Sequence, residues 1–178
     1  VFLTATFFAI IFAIRSKHAH VIIATALVLP LIVSTWSNYY FETVKLSLTT
    51  RIFAALFFGY AVVIILQIIA RSNEVTKETI FAAIVAYLMI ALMWAFFYMI
   101  LESLIPGSFA FNEQGVWKES TRFHYLSFVT ITTLGYGDIT PLTDKASALA
   151  LLEAVIGQMY MVVLVAWLVG MYVSKKSK

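Results

Sequence analysis

Long apolar runs separated by short polar breaks set the rhythm of this chain, at 1–14, 21–36, 52–70, 79–101 and 145–173. A helix rises 1.5 Å per residue, so about 20 apolar residues cross a hydrocarbon layer about 30 Å thick. By that measure 52–70, 79–101 and 145–173 predict full crossings, and the last is the longest helix. The run at 21–36 reads as a further span, with Pro30 as a kink and Trp36 at the interface. The run at 1–14 is too short to cross and reads as the second part of a span. The breaks fall at 15–20, at a polar, aromatic connection over 37–50, at 71–78, and at a loop over 102–120 holding Pro106, Gly107 and Gly115. One helical stretch, 121–132, is only about half a membrane deep.

That short helix leads directly into Thr132-Thr133-Leu134-Gly135-Tyr136-Gly137-Asp138, followed by Ile139-Thr140-Pro141. The segment is too rich in glycine for a span and too apolar at its flanks for an ordinary soluble loop. Glycine reaches the positive φ angles that other residues avoid. Alternating it with larger residues lets successive carbonyls point the same way. Four copies around an axis would stack rings of oxygens able to replace the hydration shell of a dehydrated cation. The bland alternative is a Gly-Tyr-Gly-Asp turn that merely joins two helices. The half-depth helix before it and the polar exit after it, set between two spans, weigh against that alternative.

Composition sharpens the class. The chain is 62% hydrophobic and 12% charged, with a mean hydropathy of +0.95. Soluble domains carry about 25% charged residues, so an integral membrane protein is predicted. The absence of cysteine excludes disulfides. The net charge of +3 is small, and its basic residues cluster at 15–18, around Arg71 and Lys77, and at 175–178. Nothing resembles a nucleic-acid patch. Aromatic residues, at 16%, suit membrane interfaces and packed helix faces.

The segment 132–138 resembles the signature of the potassium-channel family, with Leu134 where many members have Val. The resemblance covers about 79–175 and is most specific over 121–142. It implies an all-α integral membrane protein in which 79–101 is the outer helix, 121–132 the pore helix, 133–138 the filter and 145–173 the inner helix. It implies a homotetramer conducting K+, with no cofactor beyond bound K+ ions and with membrane lipids as its surroundings. The ion ligands would be the carbonyls of Thr133, Leu134, Gly135 and Tyr136, with the Thr133 hydroxyl closing the innermost site. Gly137 and Asp138 would support the filter. Tyr136 would pack among Phe123, Tyr125 and Phe128. Many relatives have a Trp pair where this chain has Tyr125-Leu126, so Tyr125 becomes the substitute partner for Asp138. Some have a carboxylate where this chain has Val129. These departures put inactivation behaviour, not selectivity, in doubt.

On the inner helix, Gly157 falls where the family often has a hinge glycine; the alternative is a small residue for close helix packing. Gln158 would face the central cavity, and Met161 and Val165, on about the same face, would narrow the inner pore. Ala166 and Gly170 are small residues suited to a tight crossing. Glu153 is an intramembrane acid, a functional candidate by default; its place four residues before Gly157 suggests a hydrogen-bonding role near the base of the pore helix. Glu102 reads as a solvated residue at a span end. His124 reads as an interfacial histidine, with an external pH sensor as the sharper alternative.

The chain divides into a transmembrane helical domain over 1–78 and a pore domain over 79–178. If the filter opens outward, the three basic clusters and the C-terminus all fall on the cytoplasmic side of a plasma (cell inner) membrane, as the positive-inside rule requires. Position 1 then lies outside, so a preceding span is expected, giving the six-span prokaryotic type. A voltage sensor needs several basic residues at three-residue spacing in one span, each worth about 2.3 kcal/mol per 100 mV. The span at 51–71 has basic residues only at its ends, so little voltage sensing is expected. Three other readings compete. A nonselective cation channel usually alters the Gly-Tyr-Gly-Asp segment. The pore subunit of a potassium uptake system needs several such loops per chain. An enzyme or receptor would need a nucleophile–base pair or a metal cluster, and the sequence offers neither.

Overall fold

A computed structural model describes residues 48–72, 74–112 and 117–176. The expected spans at 1–14 and 21–36, the basic cluster between them and most of the 37–50 connection lie outside the described residues. The elements in order are α1 (Leu48–Ala70), α2 (Lys77–Leu104), β1 (Phe109–Phe111), α3 (Glu119–Ile131), β2 (Ile139–Pro141) and α4 (Asp144–Lys176). Helix α1, helix α2 and the 144–167 part of α4 are each long and apolar enough to cross a membrane.

Helices α1 and α2 are apolar around their whole circumference, the pattern of a helix that meets protein on one side and lipid on the other. Helix α2 starts where Thr76 Oγ1 accepts from the Thr79 amide at 3.3 Å, a side-chain cap on an otherwise orphan donor. The two helices run antiparallel: Arg51, at the start of α1, reaches Met99 and Ser103, near the end of α2. Their seam includes Phe58 stacked on Phe96 at 5.7 Å, and Gly59 admits the Met93 sulfur. Helix α1 includes Thr50 and Arg51, ahead of the apolar run, and both are buried.

Past α2, the chain folds back through Pro106 and Gly107, whose φ of 82° needs glycine. Glu102 is not simply solvated there. Its two carboxylate oxygens accept from the Gly107 and Ser108 amides at 2.8 and 3.0 Å, so it organises the turn. A two-stranded antiparallel pairing follows, Phe109 opposite Pro141 and Phe111 opposite Ile139. An all-helical reading does not anticipate this pairing, because three-residue strands carry no usable periodicity. It matters because it ties together the two ends of the excursion made by α3 and the glycine segment. Flanking bonds extend it: the Asn112 amide to the Asp138 carbonyl, and the Leu142 amide to the Ser108 carbonyl, both 2.8 Å.

Helix α3 packs against α2 on one side and α4 on the other. A run of edge-to-face rings, Tyr98 to Phe109 (5.4 Å) to Phe123 (5.2 Å) to Phe111 (5.8 Å), joins α2, β1 and α3 in the core. Helix α4 leaves Leu151, Leu152, Val155, Met159, Val162 and Val169 exposed, an apolar face for lipid or another protein surface.

Candidate functional site

The segment after α3 is shaped by the helix end itself. The Thr133 amide donates to the Thr130 carbonyl at 2.9 Å, and the Leu134 and Gly135 amides both donate to the Val129 carbonyl, at 2.9 and 3.3 Å. The chain therefore doubles back on the last turn of α3 before it leaves. From there φ alternates in sign: Thr133 (59°), Gly135 (53°) and Gly137 (78°) are positive, with Leu134 and Tyr136 between them on the ordinary side. A Cβ built on Gly135 or Gly137 meets nothing within 4 Å, so glycine is needed there for conformation and not for space. Thr133 adopts a positive φ without being glycine, which for a β-branched residue is strain of about 1–3 kcal/mol. Residues 133–137 are exposed in the single chain.

Tyr136 stacks on Tyr125, centroids 6.5 Å apart and planes within 6°, and Tyr125 in turn meets the edge of Trp117 at 5.3 Å. Phe123, expected behind Tyr136, turns instead into the core against Phe109 and Phe111, and Phe128 packs on the periphery of that core. The Asp138 carboxylate accepts from the Ile139 amide at 3.1 Å, anchoring the exit to β2.

Helix α4 passes below this segment. Gln158 Nε2 donates to the Thr133 hydroxyl at 3.3 Å, bringing these two expected site residues together. Gly157 faces the end of α3: an added Cβ would lie 2.6 Å from Ile131 Cγ1 and 2.7 Å from the Ile131 carbonyl oxygen. That contact gives the close-packing reading of Gly157 a concrete neighbour. The same carbonyl accepts from the Tyr87 hydroxyl at 2.9 Å, and Tyr87 stacks on Tyr160, whose hydroxyl donates to the Ala83 carbonyl at 2.6 Å. Met161 and Val165, further along α4, are exposed, and Gly170 has nothing within 4 Å of an added Cβ.

Two polar clusters fix α3 at its other contacts. At its start, Arg51 forms a two-pronged pair with Glu119, at 3.0 and 3.1 Å, and also donates to the Met99 carbonyl and the Ser103 hydroxyl. Glu119 sits in the first turn of α3, where a negative charge suits the helix dipole. Midway, the fully buried Glu153 of α4 is hydrogen-bonded by Ser127 of α3 and Tyr98 of α2. His124 is half-buried, edge-on to Phe96 at 5.6 Å with Nδ1 against the Ser120 carbonyl. Burial holds its pKa below the ordinary histidine value, and the Ser120 contact opposes that.

Sequence reasoning singled out the glycine segment, Glu153, Gly157 and Gln158. It missed Arg51 with Glu119, Ser127 and the Tyr87–Tyr160 pair. Arg51 stands at the edge of its apolar run, where a charge ordinarily meets water, so nothing in the sequence marked it as buried and paired. The others look like any polar residue of an aromatic-rich helix until their partners are known.

No curated protein and no solved structure matches this chain. A family model described as ion channel matches residues 84–174, from within α2 through the glycine segment to nearly the end of α4. That is just over half of the chain. With three helices of spanning length among the described residues, this membrane protein belongs to the ion channel family.

Proposed function

We propose that this channel subunit is potassium-selective and conducts K+ passively as a homotetramer. The alternation of φ at Thr133, Gly135 and Gly137 with Leu134 and Tyr136 carries the reading. Peptide planes alternating in hand can turn their carbonyls to one side, and rings of such oxygens substitute for the water around a dehydrated K+. The Thr133, Leu134, Gly135 and Tyr136 carbonyls are the ion ligands, with the Thr133 hydroxyl at the inner end. One chain supplies one quarter of each ring, and the exposure of 133–137 fits a segment completed by neighbouring copies. In this reading α2 is the outer helix, α3 the pore helix and α4 the inner helix. Gln158, Met161 and Val165 line the route below the filter.

The filter faces outward and the C-terminus is cytoplasmic, in the plasma or cell inner membrane, with Arg71 and the basic tail on the inner side. The preceding helical domain lacks a sensing ladder in its described part, since Arg51 of α1 is buried and paired with Glu119. Voltage sensing is therefore weak.

Bound K+ should stabilise the assembly by mass action. Heating the purified oligomer in K+ and in Na+ at equal ionic strength tests this, with native mass spectrometry reporting the subunit number. The reading expects a tetramer that survives to a higher temperature in K+. Equal stability in both ions, or an oligomer other than four, contradicts it.

A further inference from the structure

Glu153 lies where α2, α3 and α4 meet, with no exposed surface. Oε2 faces the Tyr98 hydroxyl and Oε1 faces the Ser127 hydroxyl. Ser127 Oγ also sits 2.6 Å from the Ala91 carbonyl oxygen. Two oxygens at that distance need a proton between them. Serine has one proton to give, and both a backbone carbonyl and an ionised carboxylate can only accept. With an ionised Glu153, one proton would have to serve both Oε1 and the Ala91 oxygen, leaving one short contact between bare oxygens. Among the described residues, no lysine, arginine or histidine pairs with Glu153. An unpaired charge buried away from water is the costliest polar arrangement a membrane helix can hold.

We propose that Glu153 is held as a neutral carboxylic acid and donates its own proton to Ser127. Ser127 then donates to the Ala91 carbonyl, and Tyr98 donates to the second carboxyl oxygen. Three protons then fill three oxygen–oxygen contacts. The run Glu153 to Ser127 to Ala91 joins α4 to α2 through α3, so Glu153 positions the helix that leads into residues 133–138. The assignment concerns the helix scaffold and holds whichever cation passes.

The test is infrared spectroscopy of the native oligomer in lipid at neutral pH, alongside Glu153→Gln. The expected result is a carbonyl stretch of a protonated carboxylic acid in the native protein and its loss in the variant. Glutamine can donate to Ser127 and accept from Tyr98, so Glu153→Gln should unfold at the native temperature, while Glu153→Ala unfolds lower. No carboxylic-acid band in the native protein overturns the proposal, as does a band that persists in Glu153→Gln. If the Gln variant does not assemble, Ser127→Ala decides, because removing the acceptor should shift the band and an unshifted band would count against the assignment.

Discussion

At Gly157 a single methyl group separates two accounts of α4. Overpacking a tight contact costs about 1–3 kcal/mol, and the Cβ of alanine there would stand 2.6 Å from Ile131. Gly157→Ala should lower the melting temperature of the oligomer, whereas Gly170→Ala, with open space around it, should not. Equal melting temperatures for the two variants would return Gly157 to the hinge reading. Gly135→Ala tests the proposed filter differently: within the chain nothing crowds the site, so only its φ of 53° resists a side chain. Assembly should survive while discrimination between K+ and Na+ falls, and unchanged discrimination would remove the ion-ligand role. His124, held below its free value of about 6.5, binds a proton more readily when unfolded. Its contribution to stability is present above that value and is lost as pH falls through it. Thermal scans from pH 7 to pH 5 should show this loss, reduced in His124→Gln; identical scans would show that His124 does not report pH. Glycine spacing made the positive φ at Gly135 and Gly137 legible. What stands opposite Gly157 was not legible, because helix periodicity says which face a residue occupies and not what that face meets.

Between elements, the Arg51–Glu119 pair is the most exacting link, joining α1 to the start of α3. Arg51 is 7% exposed, while Glu119's side chain is 48% exposed, so the two halves are not equivalent. Removing Glu119 leaves a buried guanidinium without its counter-charge, which breaks the pair at its costly end, whereas removing Arg51 leaves a carboxylate that water can reach. Glu119→Gln should therefore destabilise more than Arg51→Met, and the double variant should recover part of the loss. A double-mutant cycle on thermal unfolding measures this; additive effects would mean that the pair does not couple the helices. Helices α2 and α3 were legible from the sequence to within about three residues at their ends. The β1–β2 pairing was not, since it depends on bringing together the two ends of the 105–143 excursion. Neither was the Glu102 turn, whose carboxylate looks like any acid at a span end until the Gly107 and Ser108 amides are placed against it. Arg51, at the edge of its apolar run, did not announce its partner either.

For the whole molecule, the sequence made the membrane class plain, because apolar runs of spanning length dominate its composition. The assembly is a different matter, since one chain carries an exposed glycine segment and an exposed apolar face on α4 without showing what completes either. In the proposed assembly four copies close around residues 133–137, and selectivity follows from that closure. Its most direct test is ion flux through the purified protein in liposomes, with K+ on one side and Na+ on the other, across a range of voltages. The account predicts a current that follows the K+ gradient and depends little on voltage. A current carried equally by Na+ would contradict it.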